Sequence, residues 1–369
     1  MVNKKMIYNN LILNQKIWLQ LKNMVANNKL PHALIFSGPD GVGKEAHAIE
    51  LASLLNNKED KANLFKIHKF QHPNINLIIP LPREKNINKQ SDVIDCLSNK
   101  SIEKLLEMKL HKMEDPYAEI IFEKASSILI NSIRDIQKKS KFVLDKKEGA
   151  MVHIILQAEK LCYPKVEPGN ALLKILEEPP PNTFFILITN NKEKMIDTIL
   201  SRCCDFYFPK ISNQEIKQYI SKNNNTEYLD LLISICNGSI KQINHIINSD
   251  IKIDDLINDA KQLISNMMRN QNWNKNYKQI EALFKSDKKS FKIFVKIIIF
   301  ILADLEKIKN NNFDCLILTE IKKVKMLNYN KCISVVEETY QKLYKNLNPA
   351  MGLFSMFLQL NHLLILKEK

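Results

Sequence analysis

The sequence predicts an α/β fold: a parallel sheet covered by helices, followed by a helices-only remainder. Three observations carry this reading. Up to about residue 209, short apolar runs alternate with helical patterns, the order expected of a parallel sheet with crossover helices. From Pro209 onward only helical patterns remain. A glycine-rich loop, Gly38–Glu45, joins the first apolar run to the first amphipathic helix.

The expected strands are Ala33–Ser37, Asn76–Pro80, Val152–Leu156 and Phe184–Thr189. Each is a short apolar run bounded by polar or turn-forming residues, which suits a strand buried on both faces. After the first strand, Ala48, Leu51, Ala52 and Leu55 fall at i, i+3, i+4 and i+7, on one face of a helix. Glu84–Asp115 is polar and lysine-rich with weak helical periodicity, and reads as a surface insertion without chemistry of its own. Ser212 and Glu215 form a capping-box signature that opens the first of three short helices, near Ile216–Ser221, Glu227–Cys236 and Ser239–Ile247. Beyond Asp250 long helical patterns run on to a final helix, Ala350–Leu366, introduced by Asn348–Pro349. That helix is apolar nearly all round, which predicts burial within its domain or against another subunit. The expected domains are 1–209, 210–250 and 251–369.

Composition narrows the class. The chain has 369 residues, 45% hydrophobic and 25% charged, as in a soluble globular protein of two or three domains. Met1–Asn10 carries lysines but no small-residue cleavage site, so no signal peptide is expected. Phe291–Leu305 contains Lys292, Lys296 and Asp304, too short and too charged for a membrane span. The seven cysteines form no C-x-x-C pair, which predicts free thiols in a reducing, cytoplasmic setting rather than zinc or disulfides. The net charge is +14, yet only four of 54 basic residues are arginine: Arg83, Arg134, Arg202 and Arg269. Abundant Lys, Asn and Ile fit an AT-rich coding bias, so the charge alone does not establish nucleic-acid binding. The scarcity of arginine makes each one informative.

The loop reads Gly38-Pro39-Asp40-Gly41-Val42-Gly43-Lys44-Glu45, a G-x-x-x-x-G-K string between strand and helix. Gly38, Gly41 and Gly43 allow backbone N–H groups to converge on phosphates, and Lys44 is placed to reach them. The next position calls for Ser or Thr, whose hydroxyl binds Mg²⁺; here it is Glu45. The third expected strand runs into Leu156-Gln157-Ala158-Glu159. There follow Asn170-Ala171-Leu172-Leu173-Lys174-Ile175-Leu176-Glu177-Glu178-Pro179-Pro180, then Thr189-Asn190, Thr198-Ile199-Leu200-Ser201-Arg202-Cys203 and Gly238-Ser239-Ile240-Lys241.

In this order the strings resemble the clamp-loader branch of the AAA+ ATPases, which serves bacterial DNA polymerase III. The resemblance covers Leu11 to about Asn248. It implies an AAA+ core with a RecA-like parallel sheet, a small helical lid and an all-α collar that holds subunits in a ring. It makes Thr189 and Asn190 the sensor 1 position, Lys241 a substitute for the sensor 2 arginine, and Ser201-Arg202-Cys203 the motif whose arginine enters a neighbour's ATP site. In place of the Asp-Glu pair that binds Mg²⁺ and polarises water stand Leu156 and Gln157. The defects all fall in this chain's own ATP site, while the group offered to a neighbour is present. The resemblance therefore implies a non-hydrolysing stator without intrinsic ATPase activity, with no required cofactor, doubtful ATP or ADP binding, and no zinc. Its implied partners are γ/τ motor subunits and a δ subunit in a hetero-pentameric ring, a sliding clamp, and primed DNA reached through the complex. Two alternatives stay open: an active γ/τ-type motor, which needs Ser/Thr and Asp-Glu where this chain has Glu45, Leu156 and Gln157, and a basic nucleic-acid-binding protein, which explains the charge but not the motif order.

Overall fold

The computed structural model describes residues 6–56, 61–88, 91–139, 149–223, 229–249, 251–271, 273–321, 324, 327–343 and 349–365. Two compact units emerge, Met1–Asn225 with Gly238–Gln242, and Thr226–Asn237 with Ile243–Lys369. In chain order the first contains α1 (Gln15–Ala26), β1 (Ala33–Ser37), α2 (Lys44–Asn56), α3 (Lys61–His68), β2 (Ile75–Ile78), α4 (Asn99–Glu114), α5 (Ile130–Lys139), β3 (Met151–Ile155), α6 (Glu167–Glu177), β4 (Thr183–Thr189), α7 (Asp197–Leu200), β5 (Cys204–Tyr207) and α8 (Asn213–Asn223).

The five strands form one parallel sheet in the order β2-β3-β4-β1-β5. Side chains alternate between its faces with the period of two that a strand imposes. Leu34, Phe36, Val152, Ile154 and Ile186 pack with Leu21 of α1 and Ala48 and Leu51 of α2. Ala33, Ile35, Ile155, Phe185 and Leu187 pack instead with Ile133 and Ile136 of α5 and Leu172 and Ile175 of α6. The fold is therefore the α/β AAA+ architecture, helices on both faces of a parallel sheet. The four expected strands are present to within about two residues. β5 was missed: it is a short edge strand with the charged Asp205 at its centre and only Phe206 buried, so no apolar run marks it.

Ser212 and Glu215 cap α8 as anticipated, the Glu215 N–H donating to Ser212 Oγ and the Ser212 N–H to Glu215 Oε2. α9 (Leu229–Cys236) and α10 (Ile240–Ile247) complete the short helices; Glu227 and Tyr228 lie outside the described residues. The remaining helices are α11 (Ile253–Met268), α12 (Trp273–Ser286), α13 (Lys288–Lys309), α14 (Tyr329–Leu343) and α15 (Pro349–Leu364), with Asn348 and Leu366 outside the described residues. α13 carries the apolar run around Ile297, buried on several sides, and no described helix is long and apolar enough to cross a membrane. α15 departs from burial all round within this chain: Leu353, Met356, Phe357 and Leu360 are buried, while Met351, Phe354 and Leu358 are exposed. Its i, i+3, i+7 spacing places those three on one face.

Buried polar groups occur in both units. In the second, the Asp304 carboxylate accepts from the N–H groups of Leu316, Ile317 and Leu318 at 3.1, 2.7 and 3.1 Å, pinning the chain after α13. Asp304→Ala orphans these donors and should cost about 3 kcal/mol in chemical denaturation. In the first unit, His153 of β3 is fully buried, stacks on Phe185 at 5.1 Å and has no hydrogen-bond partner on either ring nitrogen among the described residues. Burial, reinforced by Lys139, pushes its pKa down to about 3. His47 is likewise neutral, its pKa lowered by burial to about 4, with Nδ1–H donating to Gly43 O and Nε2 accepting from Asn14 N–H. Because the folded state resists protonation that the unfolded chain accepts near pH 6.5, stability is full above that pH and is lost as pH falls. Each histidine accounts for about 2 kcal/mol at pH 5. Urea melts of His153→Leu at pH 7.5 and 5 should show its share of this pH dependence removed.

Candidate functional site

The glycine-rich loop lies at the carboxyl ends of the strands, where open α/β sheets place their sites. Its glycines serve the fold itself. Gly38 has φ +132°, and a Cβ there would overlap the Phe208 carbonyl; Gly41 has φ +76°, and a Cβ would overlap the Ser239 hydroxyl. The Gly41 carbonyl also accepts from Ile240 N–H at 3.1 Å. Lys44 opens α2 with its ammonium turned back onto the loop, donating to Gly38 O at 2.8 Å and Pro39 O at 2.5 Å. Burial lowers its pKa to about 8, against the raising influence of Asp40, Glu45 and Glu159.

Beside it lies a contact that sequence reading missed. Lys112 of α4, with 2% of its side chain exposed, meets Glu45 at 2.8 Å. The same ammonium donates to Pro116 O at 2.9 Å and Ala118 O at 2.7 Å, so it holds two hydrogen bonds beside an ion pair. The surface-insertion reading of Glu84–Asp115 thus fails at Lys112. No periodicity could reveal it, because a buried lysine and a solvated one look alike in sequence. Lys241 completes the cluster, meeting Asp40 at 2.6 Å and also Glu119. Burial lowers the Lys241 pKa, but Glu119 and Asp40 outweigh it and the net displacement is upward.

Together with Gln157 and Asn190, these six charged groups line a cavity of about 40 Å³, far below the ~300–1,000 Å³ of ordinary ligand sites. Three carboxylates (Asp40, Glu45, Glu119) face three ammonium groups (Lys44, Lys112, Lys241), leaving no surplus positive charge for a polyphosphate. A Mg²⁺–nucleotide also requires a hydroxyl at the position of Glu45 and a carboxylate near that of Leu156. Leu156 is buried among apolar neighbours, and Gln157 turns into the cleft at φ +50°. The residues present do not fit that group. Thr189 and Asn190 are nearby but bound: Thr189 Oγ1 donates to Glu159 at 2.6 Å, and Asn190 Nδ2 to Asp40 at 3.3 Å.

Arg202 lies outside this cleft, after α7. Its Nη1 donates to Thr198 O at 2.9 Å and its Nη2 to Glu177 Oε1 at 2.5 Å. A third of the Arg202 side chain is exposed. Ser201 Oγ donates to Thr198 O at 3.2 Å, fastening the same turn. Burial pushes the Cys203 thiol up to about 12, which leaves it unreactive near neutrality.

A family model described as DNA polymerase III, delta subunit, matches residues 13–212, a stretch that contains the whole sheet. The chain belongs to that family. It is similar to the DNA polymerase III tau subunit of Bacillus subtilis, 27% identical over 224 residues, 61% of this chain and 33% of the relative. Similarity to the delta' subunit of the same organism is 22% over 245 residues, 64% of this chain and 60% of that one. For the gamma subunit of Buchnera aphidicola subsp. Baizongia pistaciae it is 29% over 218 residues, 58% and 47%. The chain thus spans from about a third to three fifths of the length of these relatives. At the level these matches share, it is a clamp-loader-family subunit of DNA polymerase III.

The buried pair can be tested directly. Lys112→Met strands the Glu45 carboxylate and should cost about 3 kcal/mol, whereas adding Glu45→Gln should restore most of that loss. Urea denaturation of the two single variants and the double variant measures the coupling.

Proposed function

We propose that this chain is the non-hydrolysing, δ′-type stator of a bacterial DNA polymerase III clamp loader. In this reading Arg202 completes the ATP site of an adjacent γ/τ-type motor subunit, and a δ subunit, a sliding clamp and primed DNA are the further partners. The observation that carries it is the Glu45–Lys112 pair at 2.8 Å. The position that should offer Mg²⁺ a hydroxyl holds a carboxylate already neutralised from within the chain. In a cleft so filled the three carboxylates are set against three ammonium groups, Glu45 stands where the metal-binding hydroxyl would be, and Leu156 and Gln157 stand where the Asp-Glu pair would be, so in this reading the chain does not turn over ATP alone. Arg202 differs in being at the surface and on a capped turn. Its planar fork can reach several phosphate oxygens at once, which lysine cannot copy. The expected domains (core, lid and collar) remain part of this proposal.

A motor reading has one observation in its favour, the similarity to tau and gamma subunits. Turnover separates the two. The isolated chain with Mg²⁺ and ATP should show no hydrolysis above background, while a Lys44-dependent rate would establish the motor. In the reconstituted complex with motor and δ subunits, clamp and primed DNA, Arg202→Ala should slow clamp loading by about tenfold or more, since an arginine finger is worth ~10³–10⁵ at its own site. Gel filtration should show assembly intact. Wild-type loading by that variant would overturn the proposal.

A further inference from the structure

We infer that Glu177 is a positioning residue for Arg202, a weak latch that parks the guanidinium on this chain's own surface and yields it to a phosphate. The inference rests on the role proposed for Arg202 above.

Glu177 is the last residue of α6, where the helix carries its negative dipole end. A carboxylate there is in an unfavourable place, and a cation is the preferred partner. Pro179, Pro180 and Pro181 follow, which stops the helix and fixes where its end lies. The cation comes from a separate element, with Arg202 Nη2 at 2.5 Å from Glu177 Oε1. The other arm of the fork donates to Thr198 O at 2.9 Å, a carbonyl of α7. One guanidinium therefore compensates both a disfavoured carboxylate and the last turn of a second helix.

The choice of residue points the same way. Only four of this chain's 54 basic residues are arginine. Among the described residues, the other ion pairs, including Lys112–Glu45, Lys192–Asp205 and Lys241–Asp40, all use lysine. A simple surface pair needs no arginine in this sequence.

The strength suits a latch. Half of the Glu177 side chain and a third of Arg202 are exposed. An exposed pair shifts an equilibrium by about fivefold at most, or about 1 kcal/mol at 1.4 kcal/mol per tenfold. That is enough to hold the guanidinium in one place when no phosphate is near. It is too little to compete with a triphosphate in a cleft closed from water, where charge-assisted bonds are stronger. Glu177 does not touch substrate and acts only through Arg202.

The test is steady-state ATP hydrolysis by the reconstituted complex with clamp and primed DNA, across ATP concentrations, together with thermal melts of the chain alone. Glu177→Gln removes the charge and keeps the shape, and should raise kcat/KM for ATP about two- to fivefold, chiefly by lowering KM. Glu177→Lys, a substitution the helix end favours, should raise it at least as much. In an Arg202→Ala background neither change should alter the kinetics, and every variant should still melt in a single cooperative transition, showing that the chain is folded. If Arg202→Ala slows the complex but both Glu177 variants leave kcat/KM unchanged or reduced, the latch is refuted and the proposed function stands. A gain that persists without Arg202 refutes it equally. If Arg202→Ala itself has no effect, the proposed function and the latch fall together.

Discussion

An ammonium group taken out of water must be surrounded by acceptors or its charge becomes prohibitive, and Lys112 is such a group, with 2% of its side chain exposed. Its ion-pair partner and its two carbonyl acceptors define much of the local structure. The carboxylate of Glu45 ties α4 to the start of α2, and the carbonyls of Pro116 and Ala118 fix the turn that follows α4. That turn carries Tyr117, whose hydroxyl accepts from Ile12 N–H at 2.8 Å, and Glu119, which meets Lys241. The glycine-rich loop, the amino-terminal segment, the insertion helix and the start of α10 are thus held to one charged centre.

That centre lies at a loop with the spacing of a phosphate-binding loop. In an active P-loop, converging N–H groups and a lysine create positive potential that the nucleotide satisfies. Here the satisfaction is internal: Lys44 donates to its own loop, and three carboxylates balance three ammonium groups around a cavity of about 40 Å³. The charges of this site are thus balanced largely from within the chain.

The Arg202–Glu177 pair lies apart from this cluster and in contact with solvent, where a pair of charges is held loosely. On α15 the apolar side chains of Met351 and Leu358 are exposed, and Phe354, packed edge-on against Tyr277 of α12, is partly so.

The fold was legible where a simple period marks burial. Strands β1, β3 and β4 show as apolar runs because they are covered on both faces and almost wholly buried, β2 shows through Ile75, Leu77 and Ile78 although it is an edge strand, and α2 shows its stripe at Ala48, Leu51 and Ala52. β5 did not show, since only Phe206 of its four residues is buried and Asp205 interrupts the run. At the site, the sequence by itself showed that Glu45, Leu156 and Gln157 stand where the resemblance implies a hydroxyl and an Asp-Glu pair. It also determined that an arginine ends the turn after α7. Only tertiary structure decided what replaces the missing groups. Lys112 is 67 residues beyond Glu45, Lys241 is 201 beyond Asp40 and Arg202 is 25 beyond Glu177. Pairings of that kind leave no periodic trace in sequence, because the desolvation that gives a charge its importance exists only once the chain has closed around it.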